Sequence, residues 1–198
     1  MISDVPRDDP SVLASGLLAA PGLEPRLVGS LEDALDAVAR SAAARGLKAV
    51  RGSLRLAGDA EAAALRVCHE LAVGAADLVI HGGETVVRLP ERPGRGGRCQ
   101  HLAVAAARAI AGHAEFLLLA AGTDGRDGAS EDAGAIIDGG TEERARDAGI
   151  DTAAALAAAD SGMLLEATGD LIHTGPTGTN VGDVVLGLRL APAADAPM

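Results

Sequence analysis

The sequence predicts an α/β protein, a layered mixed or parallel sheet flanked by helices with glycine-rich loops at the strand ends. Three observations carry this reading. Short apolar runs alternate with segments of helical periodicity from Ser30 onward. The run Phe116–Ala121 is continuously apolar, as expected of a strand buried on both faces. The core must also be aliphatic, because Phe116 is the sole aromatic residue in a chain that is 48% hydrophobic.

Residues 1–30 show no sustained periodicity, and Pro6, Pro10, Pro21 and Pro25 interrupt every candidate element, so a connector is expected there. Ser30 can cap a helix in which Leu31, Ala34, Leu35, Val38 and Ala42 recur at helical spacing, and Gly46 supplies its stop. A strand follows over Lys48–Leu56, where Val50, Leu54 and Leu56 partly alternate with polar neighbours. Gly58–Asp59 opens a second helix to about Val73, with Ala63, Val67 and Leu71 on its apolar face. Asp77–Ile80 reads as a brief strand ending in the loop HGGE (81–84), and Thr85–Leu89 as another. The loop Pro90–Gly97 leads to an alanine-rich helix near Arg98–Gly112. After Phe116–Ala121 come the loop Gly122–Asp132 and helices near Glu142–Ala148 and Thr152–Ala159. Asp170–His173 and Asp183–Leu190 are the last strands, separated by the loop Thr174–Asn180, and 191–198 reads as a frayed tail. The resulting division is 1–30 as connector or remnant of a preceding domain, 31–76 as a lead-in, and 77–190 as the main α/β domain.

Composition removes several classes of function. The net charge of −11 argues against a protein that grips nucleic acid or an anionic membrane. No run approaches the ~18 apolar residues of a membrane span, and the opening MISDVPRDDP lacks the basic flank and apolar stretch of a secretory signal. A soluble cytoplasmic protein is expected. Cys68 and Cys99 are too few for a disulfide framework and read as buried small hydrophobes. Lys48 is the only lysine.

In open α/β sheets ligands collect at the carboxyl ends of strands, which draws attention to four glycine-rich segments. PGRGGR (93–98) places Arg95 and Arg98 beside Gly96 and Gly97 at a helix N-terminus, where guanidinium forks and unpaired N–H groups suit an anion. A tight turn with solvated arginines explains the same residues. GTDGRDG (122–128) offers Asp124 and Asp127 as Mg²⁺ ligands or as a base toward a hydroxyl, or as the acids of an Asx-rich turn. TGPTGTN (174–180) has the texture of a phosphate cradle but no following lysine, so it is not a Walker A loop. Glu84 in HGGE serves chemistry only if the neighbouring loops converge on it. A dinucleotide fingerprint fails because Cys99 stands where its last glycine belongs, and the five histidines form no metal-type cluster. A structural role is expected of His81 and His173.

Taken in order, GGET, GRGGR-x-Q, GTDG-x-DG, EDAGAIIDG and GDLIHTGPTGTNVGD resemble the C-terminal MOFRL region of the two-domain bacterial and archaeal glycerate kinases, from about Gly82 to Leu188. Members of that family are also described as hydroxypyruvate reductases. The opening ISDVPRDDPSVLASG resembles a segment late in the family's larger N-terminal domain. The resemblance implies ATP-dependent phosphoryl transfer to D-glycerate giving 2-phosphoglycerate, with ATP and Mg²⁺ as cofactors and a cleft between two α/β domains. Carried over by position, it makes Asp124, Arg98 and Glu84 the catalytic candidates. Arg95, Gly96, Gly97, Thr177, Gly178, Thr179 and Asn180 become substrate- or phosphate-binding candidates, and Asp4 and Asp127 metal ligands. Where the family commonly has GRGGRNQE, this chain has Cys99, Gln100 and His101 after Arg98. Most of the large N-terminal domain is absent, so the expected partner is that domain or a second copy of the chain. A non-catalytic binding module is the alternative function, and an NAD(P)H-dependent reductase a weaker one.

Overall fold

Ser30 caps the first helix as its position predicts: its hydroxyl accepts the Asp33 N–H at 3.2 Å, and α1 (Leu31–Ala44) follows. Asp59 repeats the device on α2 (Ala60–Val73), accepting the Ala62 N–H at 3.0 Å. The computed structural model that shows these caps describes residues 2–3, 26–53 and 55–190. Asp4 and Leu54, both singled out above, lie outside the described residues, as do most of 1–30 and the segment 191–198.

Among the described residues seven strands form one sheet. They are β1 (Ala49–Arg51), β2 (Leu56–Asp59), β3 (Leu78–Val86), β4 (Phe116–Gly122), β5 (Gly134–Asp138), β6 (Leu171–Ile172) and β7 (Asp183–Arg189). Their order is β1-β3-β7-β4-β5-β6, with β2 also paired to β3. Only β1 and β2 run parallel to β3, and every other pairing is antiparallel. Because β1 and β2 join the same sheet, residues 31–76 and 77–190 share one architecture.

Each face has its own core. Leu31, Leu35 and Ala42 of α1 cover Leu78 and Ile80 on one side. On the other, α2 and α3 (Arg98–Ala109) pack Val67, Leu71, Leu102 and Val104 against Val79, Leu118, Ile137 and Val185. The short helices α4 (Thr141–Asp147), α5 (Thr152–Ala157) and α6 (Ser161–Thr168) extend that layer through Ala145, Leu156, Leu164 and Leu165. Both cysteines are buried and free, and burial raises both thiol pKa values, Cys68 to about 11. That is the inert packing role expected of them.

Several expectations need correction. HGGE is not a loop between two strands, since β3 runs unbroken from Leu78 to Val86 through it. The glycines answer close packing instead: a Cβ on Gly82 would lie 2.8 Å from Leu31 Cδ1, and one on Gly83 would overlap the Leu56 carbonyl oxygen. The single strand over Lys48–Leu56 is two short ones. β4 is not buried on both faces but alternates buried and half-buried residues, as suits an antiparallel strand with one well-covered side. β5 and α6 were not anticipated.

Gly83→Ala is expected to cost about 1–3 kcal/mol by forcing β2 away from β3. Urea denaturation checks this, and an unchanged midpoint would show that β2 pairing contributes little.

Candidate functional site

The register fixes where the glycine-rich segments meet. Asp183 pairs with Gly83 on one side and with Gly122 on the other, and Ala121 pairs with Gly134. The loop after β4, the loop before β7 and the far half of β3 therefore open at one end of the sheet. The N-terminus of α3 arrives there as well. Lys48 sits at the opposite end, its N–H donating to Asp77 ahead of β3.

A cavity of about 820 Å³ lies at this end. The end of β3, β2, the Pro93–Gly97 loop, the start of α3 and the link between α5 and α6 wall it in. Of the residues expected to form a site, Glu84, Gly96, Gly97 and Arg98 line it. Its wall is largely apolar, through residues such as Leu56, Val86, Val87 and Leu89.

Arg98 is firmly anchored in the cavity. Its Nε donates to Asp183 Oδ2 at 2.6 Å and an Nη to Oδ1 at 3.0 Å, the two-point geometry suited to guanidinium and carboxylate. Its other Nη lies 3.1 Å from Glu84 Oε1. Hydrogen bonding to Asp183 outweighs desolvation and holds the guanidinium more firmly protonated than usual. Asp183 is 5% exposed while the Glu84 side chain is 59% exposed. The first pairing is thus structural, and the second is open to competition from a ligand.

Asp127 corrects the metal-ligand expectation. Its carboxylate is 2% exposed and accepts the Cys99 N–H at 3.0 Å and the Gln100 N–H at 2.7 Å. It caps α3 from a distant loop, at a helix whose own N-cap residue, Gly97, has no side chain to do so. Gly97 must be glycine because a Cβ there would overlap the Asp127 carboxylate. Burial pushes the Asp127 pKa up to about 6, against the pull of the two N–H donors. The same capping means that the Cys99 and Gln100 N–H groups at the start of α3, expected to be open to an anion, already have one.

Arg95 departs from Arg98 despite lying three residues away. Its N–H donates to Asp160 Oδ1 at 2.8 Å, and its guanidinium donates to the Gly162 carbonyl at 3.0 Å and pairs with Glu166. It braces the cavity wall against α6 and does not line the cavity, which corrects its assignment as a ligand contact.

Asp124 and the 174–180 segment form a second cluster. Asp124 Oδ1 accepts the Arg126 N–H at 3.0 Å, and its carbonyl accepts the Thr177 N–H at 3.1 Å. Thr177 Oγ1 donates to the Thr123 carbonyl at 2.6 Å, and the Thr179 carbonyl stands 3.1 Å from the same hydroxyl. Asn180 Oδ1 accepts the Gly182 N–H at 2.9 Å, and Gly178 takes a φ of +76°. The segment is exposed and shares the sheet end with the cavity but does not line it.

Sequence reasoning passed over Asp183, Ser161 and His101. Asp183 was the last residue of a quoted motif, so its signal was present. Ser161 carried none. His101 is buried, lines the cavity and stands 3.5 Å from Glu61. His81 and His173 take up structural pairs, with Glu70 at 2.8 Å and Asp132 at 2.6 Å. Among the described residues no group of three or more His, Cys, Asp or Glu is arranged to hold a metal ion. No helix among them is long and apolar enough to cross a membrane.

Fold and site thus define an α/β protein with an arginine-anchored cavity at one end of a mixed sheet. The chain belongs to the MOFRL family, whose model matches residues 77–183. The glycerate 2-kinase of Pyrococcus horikoshii is 35% identical over 176 residues, covering 85% of this chain and 40% of that protein. The D-glycerate 2-kinase of Thermotoga maritima is 46% identical over 110 residues, covering 56% of this chain and 26% of its own length. The crystal structure of a glycerate kinase from T. maritima superposes with a TM-score of 0.80 at 35% identity, over 85% of this chain and 42% of that one. The chain therefore spans less than half the length of these relatives.

Proposed function

We propose that the chain is the substrate-binding portion of a glycerate 2-kinase, an enzyme that transfers a phosphoryl group from ATP to D-glycerate to give 2-phosphoglycerate. The observation that carries this reading is Arg98, fixed in the cavity by buried Asp183 and facing a Glu84 that a ligand can displace. A small hydroxy acid presents the carboxylate such a group recognises. Phosphoryl transfer depends mainly on positioning and charge neutralisation. In this reading Arg98 binds the substrate carboxylate, and the apolar wall keeps water from the acceptor hydroxyl. Asp124 orients that hydroxyl, with Gly96 and Gly97 on the substrate side and Thr177–Asn180 on the phosphate side.

ATP would supply the phosphoryl group. Asp127 is engaged by α3 and Asp183 by Arg98, so neither would hold Mg²⁺. We assign the metal to Asp124, or to Asp4, which lies outside the described residues; one or two carboxylates beside substrate phosphate suffice for this ion. Val86 and Leu89, 61% and 63% exposed beside the cavity, would be covered by a partner domain or a second copy of the chain. A non-catalytic binding module is the second reading, favoured by the distance of Lys48 from the site. A reductase is disfavoured by Cys99 in the place of a dinucleotide-binding glycine.

The test is calorimetric titration of the chain with D-glycerate, followed by an assay for ADP with ATP and Mg²⁺. Each is run with and without a separately expressed N-terminal domain from a relative. Binding alone with turnover only on complementation is expected. Binding that never supports turnover would establish the module, and absence of both would overturn the assignment.

A further inference from the structure

The cavity is larger and more apolar than a three-carbon hydroxy acid requires. Such an acid carries oxygen on every carbon and has little apolar surface to set against aliphatic side chains. A space of about 820 Å³ falls instead in the range of ~300–1,000 Å³ typical of sites that enclose drug-sized ligands. Those sites are mostly apolar, with a few polar groups that fix orientation.

The lining is ordered along β3. Glu84 and Val86 are successive exposed positions on one face of the strand, about 7 Å apart. Strand β2 sets Ala57 beside Glu84 through their pairing. An Nη of Arg98 lies 3.1 Å from Glu84 Oε1, so the guanidinium marks one end of this run. Beyond Glu84 the lining continues through Val86, Val87 and Leu89, while Pro93, Ala129 and Ala159 bring apolar surface from other segments. Arg55, Thr85, His101 and Ser161 are the other polar side chains of the lining.

Arg98 supplies a head-group site at the charged end. Asp183 takes its Nε and one Nη, and the remaining Nη meets only the exposed Glu84 carboxylate. A ligand carboxylate that displaces Glu84 keeps the guanidinium paired and points the rest of the ligand at the apolar run.

We propose that the cavity binds an amphipathic monocarboxylate, its head on Arg98 in place of Glu84 and its aliphatic or aromatic body along Val86, Val87 and Leu89. The proposal rests on Arg98 as a carboxylate receptor, which it shares with the kinase reading, and departs from that reading in the body of the ligand. It requires neither ATP nor a second domain, because every residue it invokes lies in this chain.

The test is calorimetric titration of the full chain with the straight-chain acids from butanoate to octanoate, with octanamide, D-glycerate and ATP as comparators. Affinity is expected to rise about fourfold for each methylene moved from water onto the wall. Octanamide, which lacks the charge, should bind about tenfold more weakly than octanoate. Val86 and Leu89 are 61% and 63% exposed, so Val86→Ser/Leu89→Ser spares the core and should flatten the chain-length series. An affinity indifferent to chain length, alongside D-glycerate binding, would overturn the proposal and leave the kinase reading standing. A rising series without D-glycerate binding supports the proposal and counts against the small substrate. Equal binding of octanamide and octanoate would reduce the wall to an unselective apolar patch and overturn the proposal. Displacement of octanoate by equimolar ATP would give the wall to the nucleotide and overturn it as well.

Discussion

Asp127→Ala is expected to destabilise the protein by about 2–4 kcal/mol, because two buried backbone N–H groups lose their only acceptor at once. The Asn variant should lose less, since its amide oxygen still accepts one of the two. The informative comparison is between wild type and Asp127→Asn as pH changes. Burial raises the folded pKa of Asp127 to about 6 from the ordinary 3.8. A raised acid binds its proton more tightly in the folded state than in the unfolded one. The stability it contributes is therefore greatest near pH 4 and declines as pH rises through about 6. This runs opposite to the behaviour of an acid stabilised by an ion pair. Subtracting the Asn variant removes the titration of every other group. The margin of wild type over Asp127→Asn, read from urea midpoints, should shrink between pH 4 and pH 7. A margin that grew over that interval would show that the two N–H donors outweigh burial.

Asp127 also shows where a sequence stops being legible. Its type and its loop pointed to chemistry, but ligand and cap use the same carboxylate, and only burial and direction separate them. Arg95 and Arg98 pose the same problem three residues apart in one motif. The first precedes α3 and meets the end of α6, whereas the second begins the helix and is turned toward Asp183. Neither partner is near in sequence, so spacing could not distinguish them. Helices α1 and α2 were legible because their caps are local, Ser30 to Asp33 and Asp59 to Ala62. β3 was misread for the complementary reason. Gly82 and Gly83 carry the local signature of a turn, yet what requires them is Leu31 and Leu56, brought in by tertiary packing. The glycine-rich segments open at one end of the sheet, but their side chains divide there, with Arg98 and Glu84 at the cavity and Asp124 and Thr177–Asn180 beside it.

Arg98→Ala is expected to cost about 3–5 kcal/mol, since it leaves the carboxylate of Asp183 buried with no countercharge. That cost complicates the obvious functional experiment. A complete homologue carrying this substitution should lose most of its activity whether the arginine holds substrate or only holds the site together. Adding Asp183→Asn separates the two roles. The double variant removes the stranded charge, so it should recover much of the stability lost in Arg98→Ala, a non-additivity of the kind expected for residues in contact. It restores no cation, so D-glycerate binding should remain lost. Arg98→Lys should fall between the two, because an ammonium neutralises Asp183 but cannot reproduce the two-point contact while also facing Glu84. Thermal melts and glycerate titrations on the four proteins of the cycle give both readouts. Recovery of glycerate binding together with stability in Arg98→Ala/Asp183→Asn would make Arg98 a strut for the β7 end of the sheet, and the substrate carboxylate would then need another receptor.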